Sequence, residues 1–191
     1  MTEEESRHRQ RARFEALAHV VAEPLHRYLL RRTGADAVED VLAEAMLVLW
    51  RRIDDVPGLA AAPASPPDPD DVLPWCYGVA RGCLANARRA DGRRLRLMER
   101  LIRTQDRQPP GGDDHSDLHA ALAALGSLDR EVVRLWAWEG LTPRQIAEAT
   151  GLSPNAVSIR LHRAKKRLAE QLGRKTNEPS GHKRDEGRSS Q

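Results

Sequence analysis

The chain has 191 residues and carries 31 Lys and Arg against 28 Asp and Glu, a formal net charge of +3 that does not by itself argue for a polyanionic partner. Its length suits one ordinary domain or two small ones, and the breaks in composition favour two. No apolar run approaches the roughly 18 residues needed to span a bilayer, and the charged start MTEEESRHRQ lacks the apolar core of a signal peptide, so a cytoplasmic location is expected.

In chain order, Phe14, Leu17, Val21, Leu25, Tyr28 and Leu29 recur at helical spacing and predict a helix from Phe14 to Arg32, ended by Gly34. A second helix is predicted over about Ala37 to Ile53. Its apolar side holds Val38, Val41, Leu42, Ala45, Leu49 and Trp50, while Asp40, Glu44, Leu47 and Arg51 lie along another side. Pro57 to Asp71 contains five prolines and is predicted to be a loop. A third helix follows from about Leu73 to Arg89, with Cys76, Ala80, Cys83 and Ala87 as a narrow packing face and Arg81, Arg88 and Arg89 on its other side. Seven residues of helix separate Cys76 from Cys83 by about 10 Å, too far for a disulfide, so both are expected to be core residues.

Beyond Arg103 the segment from Gln105 to Asp114 has paired prolines and glycines and little apolar content, as expected of an interdomain linker and of a first site of proteolysis. Helical spacing returns at Leu118, Ala121, Leu122 and Leu125 and continues from Ser127 through Trp138. The expected organisation is all-α, with a helical domain over 1–104, a linker over 105–116, a second small helical domain over 117–173 and a disordered tail over 174–191.

The most informative stretch runs from Thr142 to Leu168. Thr142 with Pro143, and Ser153 with Pro154, are two helix starts eleven residues apart, and Gly151 supplies the turn between them. In the second of these helices Val157, Leu161, Ala164 and Leu168 form one stripe. The opposite face holds Asn155, Ile159, His162 and Lys166, flanked by Ser158 and Arg163. Short helix, turn and longer helix with an outward polar face describe a helix-turn-helix that reads base edges in the major groove. Charge is distributed accordingly. Ser153 to Lys175 has seven cations against Glu170, and Arg81 to Arg103 has eight arginines against Asp91 and Glu99, on an otherwise acidic background.

The motifs LDREVVRLW (Leu128–Trp136), EGLTPRQIA (Glu139–Ala147) and VSIRLHRA (Val157–Ala164) resemble region 4 of the extracytoplasmic-function (ECF) sigma factors of bacterial RNA polymerase. AVEDVLAEAMLVLWR (Ala37–Arg51) resembles their region 2.2, and LPWCYGVARGCLANARR (Leu73–Arg89) their regions 2.3 and 2.4. Ala43, Gly82, Asn86 and Ile159 depart from residues usual in the family. The resemblance implies a DNA-binding sigma factor with core RNA polymerase and promoter DNA as partners, and leaves room for an anti-sigma factor. It implies that Asp40, Glu44, Arg51 and Arg52 dock on the polymerase, or merely solvate a helix face. It makes Trp75, Tyr77, Arg81, Arg88 and Arg89 candidates for capturing unstacked bases and single-strand phosphates of the −10 element, where aromatics and arginines are suited, with Trp75 and Tyr77 equally able to be core residues. The −35 element falls to Asn155, Ser158, Ile159, Arg160, His162, Arg163 and Lys166.

Two other function classes share parts of this pattern. A stand-alone helix-turn-helix regulator needs Thr142 to Leu168 but not the first three helices, and a sigma-like protein that binds polymerase without starting transcription needs both. Catalysis is not expected, because the sequence shows no Gly-rich phosphate loop, nucleophile motif or metal cluster. His115 and His119 stand at i, i+4 without a third ligand nearby, so neither metal nor cofactor is expected.

Overall fold

The computed structural model describes residues 2–59, 66–99 and 116–176. Seven α-helices and one 3-10 turn make up the regular structure of these residues, with no strand among them. Helix α1 (Glu3–Leu30) begins well before its apolar pattern does. Thr2 and Glu5 form a reciprocal capping box, and the pairs Arg7–Glu3 and Arg11–Glu15 follow the polar first turns. Apolar periodicity marks only the half of a helix that packs, so the exposed extension escaped it.

Helix α2 (Ala35–Arg51) ends in the 3-10 turn Ile53–Asp55. Helix α3 (Pro69–Glu99) starts inside the segment assigned to a loop and runs beyond Arg89. Pro69 occupies the first helical position, where its missing N–H costs nothing, the Asp68 carboxylate accepts from the Asp70 amide, and Asp70 and Asp71 lie against the positive end of the helix dipole. A proline-rich stretch thus supplies the start signal of the next helix.

The second half comprises α4 (Ser116–Ala123), α5 (Ser127–Ala137), α6 (Pro143–Thr150) and α7 (Pro154–Thr176). Helix α7 continues through Thr176, past the start of the expected tail at 174. Most of the expected linker and the tail beyond 176 lie outside the described residues.

Helices α1, α2 and α3 pack mutually around Leu17, Val21, Leu25, Val38, Val41, Ala45, Leu49, Val72, Cys76 and Ala80. Each fully buried leucine or valine there contributes about 1.5–3 kcal/mol relative to exposure. Helices α5, α6 and α7 close around Val132, Leu135, Ile146, Val157, Leu161 and Ala164, with α4 lying on α7. The two groups also meet. Helix α6 lies on α3, and the buried side chains of both halves join in one core cluster. Cys76 and Cys83 are free, buried thiols, and burial pushes them up to about 12 and about 11 respectively.

Candidate nucleic-acid interface

The helix-turn-helix is built by its local chemistry. The Thr142 hydroxyl accepts from the Gln145 amide while the Gln145 side chain accepts from the Thr142 amide, so α6 starts at Pro143 with a complete capping box. Gly151 ends it in the left-handed region at φ 74°, a conformation that costs glycine nothing. The Ser153 hydroxyl then accepts from the Ala156 amide and opens α7. Val157, Leu161 and Ala164 are buried and Leu168 half-buried, which turns the other face outward.

That face carries Asn155, Ser158, Ile159, His162, Arg163 and Lys166, all exposed. Ile159 is 43% exposed, so the helical phase expected from sequence is the phase observed. Arg160 lies differently. Its guanidinium reaches Asp129 of α5 at 2.7 Å, and a cation expected on DNA phosphate is tied to a carboxylate of its own domain. Lys165 stands over the exposed Trp136 ring at 4.2 Å.

The second basic face, on α3, is largely engaged by protein. Arg81 donates to the carbonyls of Ala149 (3.3 Å) and Thr150 (3.0 Å), a cation set on the C-terminus of α6. Arg88 donates to the Arg32 carbonyl. Arg89 is exposed and bonded only to its own helix, at Asn86 and Ala85. Tyr77 is 4% exposed, its ring 5.2 Å from that of Tyr28, and burial pushes its hydroxyl up to about 12. Trp75 is half-buried with Arg52 stacked on its ring at 5.1 Å. In this arrangement Trp75 and Tyr77 pack against protein, and only Arg89 of the α3 set is both exposed and bonded solely within its helix.

On α2, Asp40, Glu44, Leu47 and Arg51 form an exposed stripe, and Leu47 is an unpartnered apolar residue at 46% exposure within it. Arg52 is exposed too, but pairs with Asp55 at 2.8 Å. The stripe suits docking on another protein: one apolar anchor among charges of both signs.

Sequence reasoning missed the cluster that holds the halves together. Arg32, whose side chain is only 2% exposed, pairs with Glu131 at 3.1 Å and with Glu139 at 2.9 Å, and it stacks on Tyr28 with its guanidinium carbon 3.7 Å from the ring centroid. Tyr28 donates its hydroxyl to Glu131 at 2.9 Å, and Arg31 reaches Glu139 at 2.6 Å. Burial, reinforced by Glu131, drives the Tyr28 hydroxyl far above its ordinary range. Each interhalf partner is about a hundred residues away in sequence, so no local spacing could have marked these residues. Gly78 is the other such position. A β-carbon there would come within 3.2 Å of the Ala149 carbonyl, and this closeness lets α6 sit on α3. No group of three or more metal-ligating side chains occurs among the described residues.

Comparison with known proteins bears on these features. The family described as sigma-70, region 4 matches residues 115–168. Among solved structures, the chain is similar to the sigma factor RpoE of Bartonella quintana, determined in complex with the anti-sigma factor NepR, with a TM-score of 0.60 and 21% identity over 84% of this chain and 96% of that one. It is also similar to CnrH, determined in complex with the cytosolic domain of CnrY, with a TM-score of 0.52 and 22% identity over 84% of this chain and 88% of that one. At such identities the likeness is one of fold. A comparison with curated protein sequences finds no match.

Proposed function

We propose, from the match of residues 115–168 to sigma-70 region 4, that the chain is a sigma factor of the extracytoplasmic-function type, which binds core RNA polymerase and directs it to promoters. The observation that carries this reading is the pairing of that helix-turn-helix with a three-helix unit, α1 to α3, in a fold shared with the sigma factor RpoE over more than four fifths of the chain. A stand-alone regulator has no use for the first unit.

In this reading the exposed α7 face (Asn155, Ser158, Ile159, His162, Arg163 and Lys166) meets the −35 element, and the α2 stripe (Asp40, Glu44, Arg51 and Arg52, with Leu47) meets the polymerase. Arg160 serves DNA only if it leaves Asp129. The −10 element falls in this reading to Trp75, Arg81, Arg88 and Arg89 of α3, while the sequence candidate Tyr77, packed on Tyr28, serves the core instead. Helix α6 lies on α3, and Arg81 bonds its last carbonyls, so promoter opening requires α6 to leave α3. The polymerase is then the partner that draws the two units apart. An anti-sigma factor, such as the NepR bound to the similar sigma factor RpoE, is a second partner consistent with the fold.

Among the described residues no helix is long and apolar enough to cross a membrane. The free chain is expected to bind promoter duplex only at the non-specific scale of about 10⁻⁴ to 10⁻⁶ M, because a single small basic helix such as α7 reaches few phosphates. In vitro transcription with added core polymerase, followed by sequencing of RNA 5′ ends, tests the proposal. Discrete, sequence-related start sites support it. Failure to retain polymerase in a pull-down, together with nanomolar sequence-specific binding of the free chain to duplex, would instead identify a stand-alone regulator.

A further inference from the structure

Between the two helical units lies a cleft of about 270 Å³, lined by Arg32 just beyond the end of α1, Arg81 and Arg88 of α3, and Arg130, Glu131 and Arg134 of α5. Five arginines and one carboxylate thus share one small space. Arg32 is neutralised by Glu131 and Glu139, but the hydrogen bonds of the others are satisfied by groups that carry no net charge: Arg81 by the carbonyls of Ala149 and Thr150, Arg88 by that of Arg32, and Arg130 by those of Leu122, Ala123 and Leu125. The Glu131 carboxylate is already held by Arg32 and Tyr28. Positive charge in the cleft therefore exceeds what the protein neutralises.

Two further features point to an anion. Arg32 is almost fully buried yet keeps Nη2 without a hydrogen-bond partner, and Arg134 likewise has a buried, unpartnered Nε. Buried guanidinium nitrogens are costly to leave unsatisfied. The cleft also contains the first residues of α5, Ser127 and Leu128, and this helix of eleven residues starts at Gly126 with no side-chain cap on its free amides. Uncapped amides at a helix N-terminus and forked guanidinium donors are the two protein groups best matched to phosphate oxygens. Arg134 registers the crowding, since burial and the neighbouring charges of Arg32, Arg130 and Arg88 lower its guanidinium below the ordinary range.

We propose that this cleft is a binding site for a small phosphate-bearing anion of more than one charge, of the pyrophosphate type, whose occupancy holds the two units together. A multiply charged anion fits because several cations lack compensation. A small one fits because α3 and α5 both line the space, and a nucleic-acid strand would have to part them. An anion that binds only the packed form shifts the balance toward that form about a hundredfold at a hundred times its dissociation constant. The inference does not depend on the sigma-factor reading, since binding is measured on the free chain.

The test is titration calorimetry of the full chain with sodium pyrophosphate at constant ionic strength, alongside the variants Arg134→Gln and Ser127→Glu. The first removes a cation from the cleft wall. The second places a carboxylate at the first turn of α5, where it complements the helix dipole and competes for the same donors. Saturable one-to-one binding in the parent chain, weakened at least about tenfold in both variants while their circular dichroism melts stay cooperative, is expected. Absence of saturable binding at millimolar pyrophosphate, or unchanged affinity in both variants, would overturn the site. A short thymidine oligonucleotide that binds there more tightly than pyrophosphate and is displaced by it would place a nucleic-acid backbone in the cleft and equally overturn the small-anion assignment.

Discussion

The α3 and α7 basic segments look alike in sequence and differ in use. Each carries a local excess of positive charge on a helix with an apolar stripe, four over Arg81 to Glu99 of α3 and six over Ser153 to Lys175 at α7. On α7 the polar face stays outward, with only Arg160 drawn back to Asp129. On α3, Arg81 caps another helix and Arg88 bonds the Arg32 carbonyl. A run of arginines states that acceptors are needed, and the tertiary structure states whether those acceptors are protein or partner. Under the proposed function the difference also orders events: α7 can meet DNA as it stands, while α3 must first shed α6.

The largest test of that contrast is Glu139→Ala. Glu139 is 2% exposed and shares the buried Arg32 with Glu131, and its removal leaves guanidinium charge without its full compensation. The packed form should lose about 3–5 kcal/mol, and the chain should relieve the loss by parting its halves. X-ray scattering should then show a larger radius of gyration with helicity retained. An unchanged radius and a urea midpoint within error of the parent would mean that the cluster does not hold the halves together.

A matched pair of glycine substitutions on α3 comes next. Gly78→Leu drives a side chain into the Ala149 backbone and should destabilise the packed form by about 1–3 kcal/mol. Gly82→Ala meets nothing within 4 Å and should stabilise α3 by about 0.5–1 kcal/mol through helix propensity. Thermal melts and scattering of the two variants should move in opposite directions. A common direction would remove the close approach of α3 and α6 from the argument.

On α7, Ile159→Ser should leave the melting temperature unchanged, because the side chain is half outside, and should relax the preference for one −35 thymine by roughly 1 kcal/mol. Selection of −35 variants with holoenzyme reads this directly. An unaltered preference would take Ile159 out of base contact.

The smallest effect separates two neighbouring arginines. Arg163→Ala should weaken binding to all sequences alike and flatten its salt dependence. Arg160→Ala should change that dependence little and cost at most about 1 kcal/mol of stability, since its partly exposed pair with Asp129 is screened by solvent. Equal salt slopes for the two variants would put Arg160 on phosphate after all.

Local signals carried the reading of α6 and α7 almost to the residue: Thr142 with Pro143, Gly151, Ser153 with Pro154, and the stripe from Val157 to Leu168 each fix backbone or phase within a few positions. They carried less of α1 and α3. The polar first turns of α1 and the proline-headed start of α3 bury little, and burial is what apolar periodicity records.

By itself the sequence determined the all-helical class, the helix-turn-helix and its outward face, because caps, turns and a 3.6-residue period act over one or two turns of chain. Only the tertiary structure decided that Arg32 would find Glu131 and Glu139, that Gly78 would admit α6, that Tyr77 would lie inside, and that five arginines would line one cleft. Those outcomes depend on which surfaces meet across about a hundred residues of chain, and charge or size at a single position is equally compatible with water, with DNA or with another helix.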